Sequence, residues 1–332
     1  KKIYIYLFLF FISGISAGWA ANEYQDDQEY EKSEESIYET RFGGYQYINP
    51  LLECEIASER ENSELIDIKK QIEDYINEKI QTKKISNISV YYRNLNNGPW
   101  FGINEDSFFN PASLLKVPIL IFYYKLAETQ PDILLVKVIY QGEYEDKENL
   151  ENDNNSLIMG NQYTIEELIN KMIVYSDNKS AYMLVKFLLE NVDQELQNKI
   201  LNEIEKILPS SFLDNHDITA KTYSSLFRIL YNASYLNKEM SEKALELLAE
   251  VYYDKGLVAK IPREIKVSNK YGFMITNGAK SNVQLHDCGI IYYPESPYIL
   301  CIMTKGLEDR DQLESIIQDI SEMVYQEVSK NK

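Results

Sequence analysis

The sequence predicts an α+β fold: one antiparallel sheet flanked by the first and last helices, with an all-helical lobe inserted into it. The first observation behind this is the order of hydrophobic periods, which runs helix, two strands, a long helical middle, three strands and a helix. The second is that the strand-like runs stand at the two ends of the domain, so one sheet must be assembled from distant segments. The third is size: 332 residues, 45% of them hydrophobic, can bury one large core or two associated lobes.

At the start, Lys1 and Lys2 precede a nearly continuous apolar run over residues 3–21, the layout of a secretory signal or a single membrane anchor. The run is long enough to span a bilayer, and Gly18-Trp19-Ala20 is a passable cleavage site. An uncleaved anchor is slightly preferred. Either way the positive-inside rule sends the rest of the chain out of the cytoplasm. Residues 22–47 are acidic, rich in tyrosine and without apolar periodicity, and read as a disordered, solvated tether. The globular domain is expected over residues 48–332, with an α/β lobe (48–110 and 251–332) and a helical lobe (111–250).

Within the domain, Leu65, Ile68, Ile72 and Ile76 recur at helical spacing and predict a helix over residues 63–84. Residues 88–95 and 100–103 flank Asn96-Asn97-Gly98-Pro99 and read as a β-hairpin. The middle, from residue 111 to about 250, is mostly helical. Strands are predicted over residues 265–276, 282–293 and 298–304, and an amphipathic helix over residues 308–328 closes the chain. A cleft between the lobes is the natural place for a ligand.

The net charge of −18 argues against nucleic acid or an anionic membrane surface as a partner, leaving the N-terminal segment as the only membrane contact. Only two histidines, His216 and His286, are present, and neither stands in a setting typical of a catalytic triad or a zinc site. Both read as structural or surface residues. Cys288 and Cys301 flank Pro294-Glu295-Ser296-Pro297 and could face each other across a hairpin, but two buried thiols are the preferred reading. With Cys54 they make no disulfide framework.

Chemistry gathers in three short segments. Asn110-Pro111-Ala112-Ser113-Leu114-Leu115-Lys116 opens a helix, because Pro suits a first turn and an apolar run follows. Ser113 and Lys116, three residues apart, share a face of that helix. A serine hydroxyl becomes a nucleophile when a base takes its proton, and a desolvated lysine can serve as that base. The helix N-terminus offers positive potential to the attacking oxygen. Alone the spacing is weak, arising by chance about once in a chain this long. Tyr175-Ser176-Asp177-Asn178 lies between two helical stretches and, alone, is an ordinary cap. Lys270-Tyr271-Gly272 lies inside a predicted strand, where glycine often marks close approach of a ligand to the backbone.

Together, in this order and on these elements, the three segments resemble the S-x-x-K, S-D-N and K-T-G set of class A β-lactamases and penicillin-binding proteins. The resemblance spans nearly all of residues 48–332 and implies a β-lactamase/transpeptidase-like fold. It implies that Ser113 is acylated, that Lys116 takes or relays its proton, and that Ser176 protonates the departing nitrogen. Asn178 would hold the substrate's side-chain amide, while Asp177 would brace the loop. Lys270 would attract the substrate carboxylate and tune Ser176. Gly272 would let the strand approach, so that the N–H groups of Phe273 and Ser113 form an oxyanion hole. The implied substrate is a β-lactam or a peptidoglycan-type D-alanyl peptide, the implied protein a monomer, and neither metal nor organic cofactor is called for.

Two departures stand out. Tyr271 replaces the usual Thr or Ser, whose hydroxyl helps grip the substrate carboxylate. Between Ser176 and Thr219 no glutamate stands in the ExxLN setting that activates the deacylating water. Glu203 and Glu205 read as the solvated face of a helix; Asp214 and Asp217 are the only carboxylates in the segment after it, and Asp217 could equally cap the helix starting at Thr219. Easy acylation and slow hydrolysis are therefore expected. Other readings are a D-Ala-D-Ala carboxypeptidase or transpeptidase, an esterase or amidase, and, from another class, a non-catalytic binding module.

Overall fold

A computed structural model describes residues 39–41, 43–54, 65–96, 98–144, 155–206, 217–276, 282–306 and 310–330. The apolar run over residues 3–21 and the tether through residue 38 lie outside the described residues, among which no helix is long and apolar enough to cross a membrane.

The packed chain begins earlier than the boundary placed at residue 48. Strand β1 (Glu39–Arg41) pairs antiparallel with β2 (Leu51–Cys54). Arg41 donates to the Asn49 carbonyl (2.6 Å) and to Asn232 (2.8 Å), and the N–H groups of Gln46, Tyr47 and Ile48 all donate to the Glu242 carboxylate. Tyr47 also meets the Tyr292 ring edge-on at 5.6 Å. Hydrogen bonds rather than an apolar stripe hold this segment, which is why hydrophobic periodicity missed it.

Five antiparallel strands form the main sheet. Its order is β4 (Trp100–Ile103), β3 (Asn87–Asn94), β9 (Tyr298–Gly306), β8 (Asn282–Ile291) and β7 (Val267–Thr276). The apolar run in β9 is continuous because both faces are covered, and its side chains alternate between two cores. Tyr298, Leu300 and Ile302 face Ile72 and Ile76 of α1 (Ile66–Gln81) and Ile317 and Ile320 of α8 (Arg310–Lys330). Ile299, Cys301 and Met303 face the helical lobe. Cys288, directly opposite Cys301, is joined to it by a disulfide, so the reading of two buried thiols is corrected.

The lobe comprises α2 (Lys116–Ala127), α3 (Ile165–Val174), α4 (Asn178–Asn191), α5 (Gln194–Glu205), α6 (Ala220–Tyr231) and α7 (Lys238–Leu248). It also contains a small ribbon, β5 (Lys137–Ile139) with β6 (Gln162–Thr164). Helix α2 is apolar on nearly every side, the pattern of a helix surrounded by its own domain. Helix α6 is capped by Thr219, whose hydroxyl accepts from the Thr222 N–H, so Asp217 is not the cap. Asp214 lies outside the described residues.

Candidate active site

Ser113 lies in a 3-10 turn (Ala112–Leu115) that runs directly into α2. The Asn110 side chain accepts from the Ala112 N–H at 3.0 Å, and Ala112 takes a positive φ of 48°, uncommon for a residue with a Cβ. Such a conformation costs about 1–3 kcal/mol and persists only where its surroundings enforce it. Three contacts do so. The buried Tyr223 hydroxyl donates to the Leu114 carbonyl at 3.0 Å. His286 Nε2 lies 2.9 Å from the Asn110 carbonyl. Gly272 on the edge strand presses against the turn so closely that a Cβ there would stand 2.6 Å from the Pro111 carbonyl and 3.2 Å from the Leu114 nitrogen. The missing side chain at Gly272 is thus what lets the strand close on the turn bearing Ser113.

Lys116, the first residue of α2, is 4% exposed. Its Nζ lies 3.1 Å from Ser113 Oγ and 3.1 Å from Ser176 Oγ, and it donates to Asn178 Oδ1 at 2.6 Å and to the Ser176 carbonyl. Ser176 sits between α3 and α4 with a positive φ of 56°. From the far side Lys270 Nζ donates to Ser176 Oγ at 3.0 Å and to the Tyr271 carbonyl at 3.2 Å. The structure thus brings Ser113, Lys116, Ser176, Asn178 and Lys270 into one linked cluster across the junction of helix, loop and strand.

Asp177 caps α4, accepting from the N–H and hydroxyl of Ser180, and its other oxygen accepts from Ser156 at 2.7 Å. Tyr271 and Phe273 leave β7 on the α8 side. The Tyr271 ring stacks on Tyr253 with centroids 4.1 Å apart, and the Arg310 guanidinium lies 4.4 Å from the Phe273 centroid. Nothing in the spacing of the sequence marked Tyr223, Tyr253 or His286 as neighbours of this site. Among the described residues no group of three His, Cys, Asp or Glu side chains is placed to hold a metal ion.

A family model described as the beta-lactamase enzyme family matches residues 67–328. The chain belongs to that family. Solved structures share the fold of this beta-lactamase family member at low identity. PBP-A is 19% identical with a TM-score of 0.65, covering 83% of this chain and 100% of its own. A variant of PBP-A, solved as an acyl-enzyme complex with penicillin G, gives a TM-score of 0.64 at 19% identity, over 83% of this chain and 100% of that one. A beta-lactamase from Chitinophaga pinensis is 18% identical, with a TM-score of 0.62 over 78% of this chain and 99% of its own. No curated protein sequence matches.

In this beta-lactamase-family domain two adjacent buried groups on β8 face opposite sides of the sheet. Burial holds the His286 imidazole neutral and pushes its pKa down to about 4. Its Nδ1 accepts from the Thr304 N–H at 3.2 Å, so Nε2 carries the proton and donates to the Asn110 carbonyl. Burial raises the Asp287 carboxyl to about 6, although the Asn269 amide, the Leu257 N–H and the charge of Lys270 pull it down. Their effects on stability oppose each other. Below its ordinary value the unfolded state protonates the histidine first, so acidification removes stability; between pH 6 and 3.8 the native state protonates Asp287 first, so acidification adds it. Asp287→Asn should therefore lose about 2 kcal/mol more than wild type between pH 6 and pH 4. Urea denaturation at the two pH values checks this; parallel losses would mean that Asp287 titrates normally.

Proposed function

We propose that this chain is a class A β-lactamase-like serine hydrolase that forms an acyl-enzyme on Ser113 with a β-lactam or a D-alanyl peptide and releases the acyl group slowly. The observation that carries the reading is the position of Lys116 Nζ, equidistant at 3.1 Å from the Ser113 and Ser176 hydroxyls. Ser113 Oγ attacks the carbonyl while its proton passes to Lys116. The new Oγ–C bond forms first and places the carbonyl electron pair on oxygen; the C–N bond then breaks as that pair returns, and Ser176 delivers a proton to the departing nitrogen, drawing a replacement from Lys116. Lys270, 3.0 Å from Ser176 Oγ, stabilises the charge that hydroxyl carries in transit. The N–H groups of Ser113 and Phe273 would receive the oxyanion, each worth about 3–4 kcal/mol in the transition state. Asn178 would hold the substrate's side-chain amide.

The penicillin G acyl-enzyme of the PBP-A variant supports the substrate class. Slow release rests on the missing ExxLN glutamate. A location outside the cytoplasm, secreted or anchored by residues 3–21, accords with the Cys288–Cys301 disulfide, since such bonds persist in oxidising compartments.

Intact-mass spectrometry of the full chain after addition of benzylpenicillin tests the reading. Ring opening keeps the departing amine within the adduct, so the protein should gain the whole mass of the drug and keep it. Rapid, sustained turnover of the penicillin would overturn slow release, and modification at another residue would overturn Ser113.

A further inference from the structure

Two cations border Ser176, and both are enclosed. Lys116 is 4% exposed and Lys270 0%. Lys116 Nζ reaches two hydroxyls, a carbonyl and the Asn178 amide oxygen, all within the site. Lys270 Nζ reaches Ser176 Oγ and the Tyr271 carbonyl, and an aromatic face meets it as well: the Tyr271 centroid lies 4.3 Å away. Strand β7 is the edge of the sheet, so a side chain that leaves it on the α8 side can still fold round the open edge toward Lys270. Tyr271 does this and is held there by Tyr253, stacked on it at 4.1 Å. The layering is ammonium, Tyr271 ring, Tyr253 ring, with the Arg310 guanidinium 5.6 Å from the Tyr253 centroid.

A negative quadrupole face pressed on a cation occupies the side from which a substrate anion would otherwise approach. With Tyr271 itself only 7% exposed, the ring is part of the packed core rather than a movable cover. We propose that Tyr271 closes this site to anion recognition, so that a carboxylate beside the scissile bond gives an acyl donor no advantage and uncharged esters or amides serve as well. This rests on the acyl-transfer reading above and deepens it. A free carboxylate there gains nothing from Lys270, because binding it requires displacing the ring and opening the stack with Tyr253. Substrates are then discriminated by shape and by amide contacts, and Lys270 acts on Ser176.

The test compares the rates at which benzylpenicillin and its uncharged methyl ester acylate Ser113 in the full chain. It is run at about 0.5 M salt, where screening suppresses repulsion between the acid and the chain's net charge of −18. In wild type the two rates should agree within about threefold. Tyr271→Thr should shift the ratio toward the free acid by about tenfold or more, the worth of one charge-assisted hydrogen bond, whereas Tyr271→Phe, which keeps the ring, should not. A wild-type preference for the acid of tenfold or more overturns the proposal, even if the Thr variant fails to fold. So does a folded Thr variant with an unchanged ratio. If Ser113 reacts neither with the penicillins nor with a neutral fluorophosphonate, the acyl-transfer reading itself fails; if it reacts and favours the acid, only this inference does.

Discussion

Lys116→Ala is expected to slow the acylation of Ser113 by about a thousandfold, within the range that general-base catalysis supplies, while Ser113→Ala forms no adduct at all. The lysine has two duties in the structure. It stands 3.1 Å from Ser113 Oγ, and it also satisfies the Ser176 carbonyl and Asn178 Oδ1 inside the site. Alanine removes both, and each buried acceptor left without its donor costs about 1–3 kcal/mol. Lys116→Arg separates the duties. A guanidinium can still donate to those acceptors, but it does not give up its proton in a protein and so cannot act as a base. If Lys116 takes the serine proton, the arginine variant should acylate nearly as slowly as the alanine variant while melting closer to wild type. Adduct formation followed by intact mass, with thermal unfolding beside it, decides the matter. An arginine variant that acylates within tenfold of wild type would reduce Lys116 to a structural cation.

Much of this site was legible because it is carried by local sequence. The Ser113-Lys116 spacing and the Ser176-Asp177-Asn178 turn each fix their geometry within one helical turn; each was bland alone and was read as a site only through the resemblance that all three segments carry together. The strands were legible for a similar reason: β3, β7, β8 and β9 are runs of apolar and β-branched residues bounded by turn signals. What escaped depends on how segments meet in the fold rather than on local pattern. The Cys288–Cys301 bond is set by the register of β8 on β9. Residues 46–48 are held by Glu242, nearly two hundred positions on, with no apolar pattern to announce it. His286 looked structural, as its buried, neutral state in the fold is, yet its partner is the turn that carries Ser113. Tyr271 was visible as a departure from the K-T-G pattern, but only the fold shows where its ring goes.

The other large effect is expected from a single methyl group. Gly272→Ala would place a Cβ 2.6 Å from the Pro111 carbonyl and 3.1–3.2 Å from two atoms of Leu114. The nearest of these is backbone, so no side chain can rotate aside, and either β7 or the Ser113 turn must move. Overpacking of this kind costs about 1–3 kcal/mol. Activity should suffer more than stability, because the two parts pushed apart carry the two N–H groups assigned to the oxyanion. Misplacing one such donor typically lowers the rate by about a hundredfold to a thousandfold. A suitable control is Gly289→Ala on β8, where a Cβ would stand 2.4 Å from the Ser268 carbonyl and meet no part of the turn. Both variants should unfold at lower urea, but only Gly272→Ala should also lose acylation of Ser113 by about a hundredfold or more. Equal acylation by the two variants would separate the strand from the oxyanion hole, and Gly272 would then be a packing residue alone.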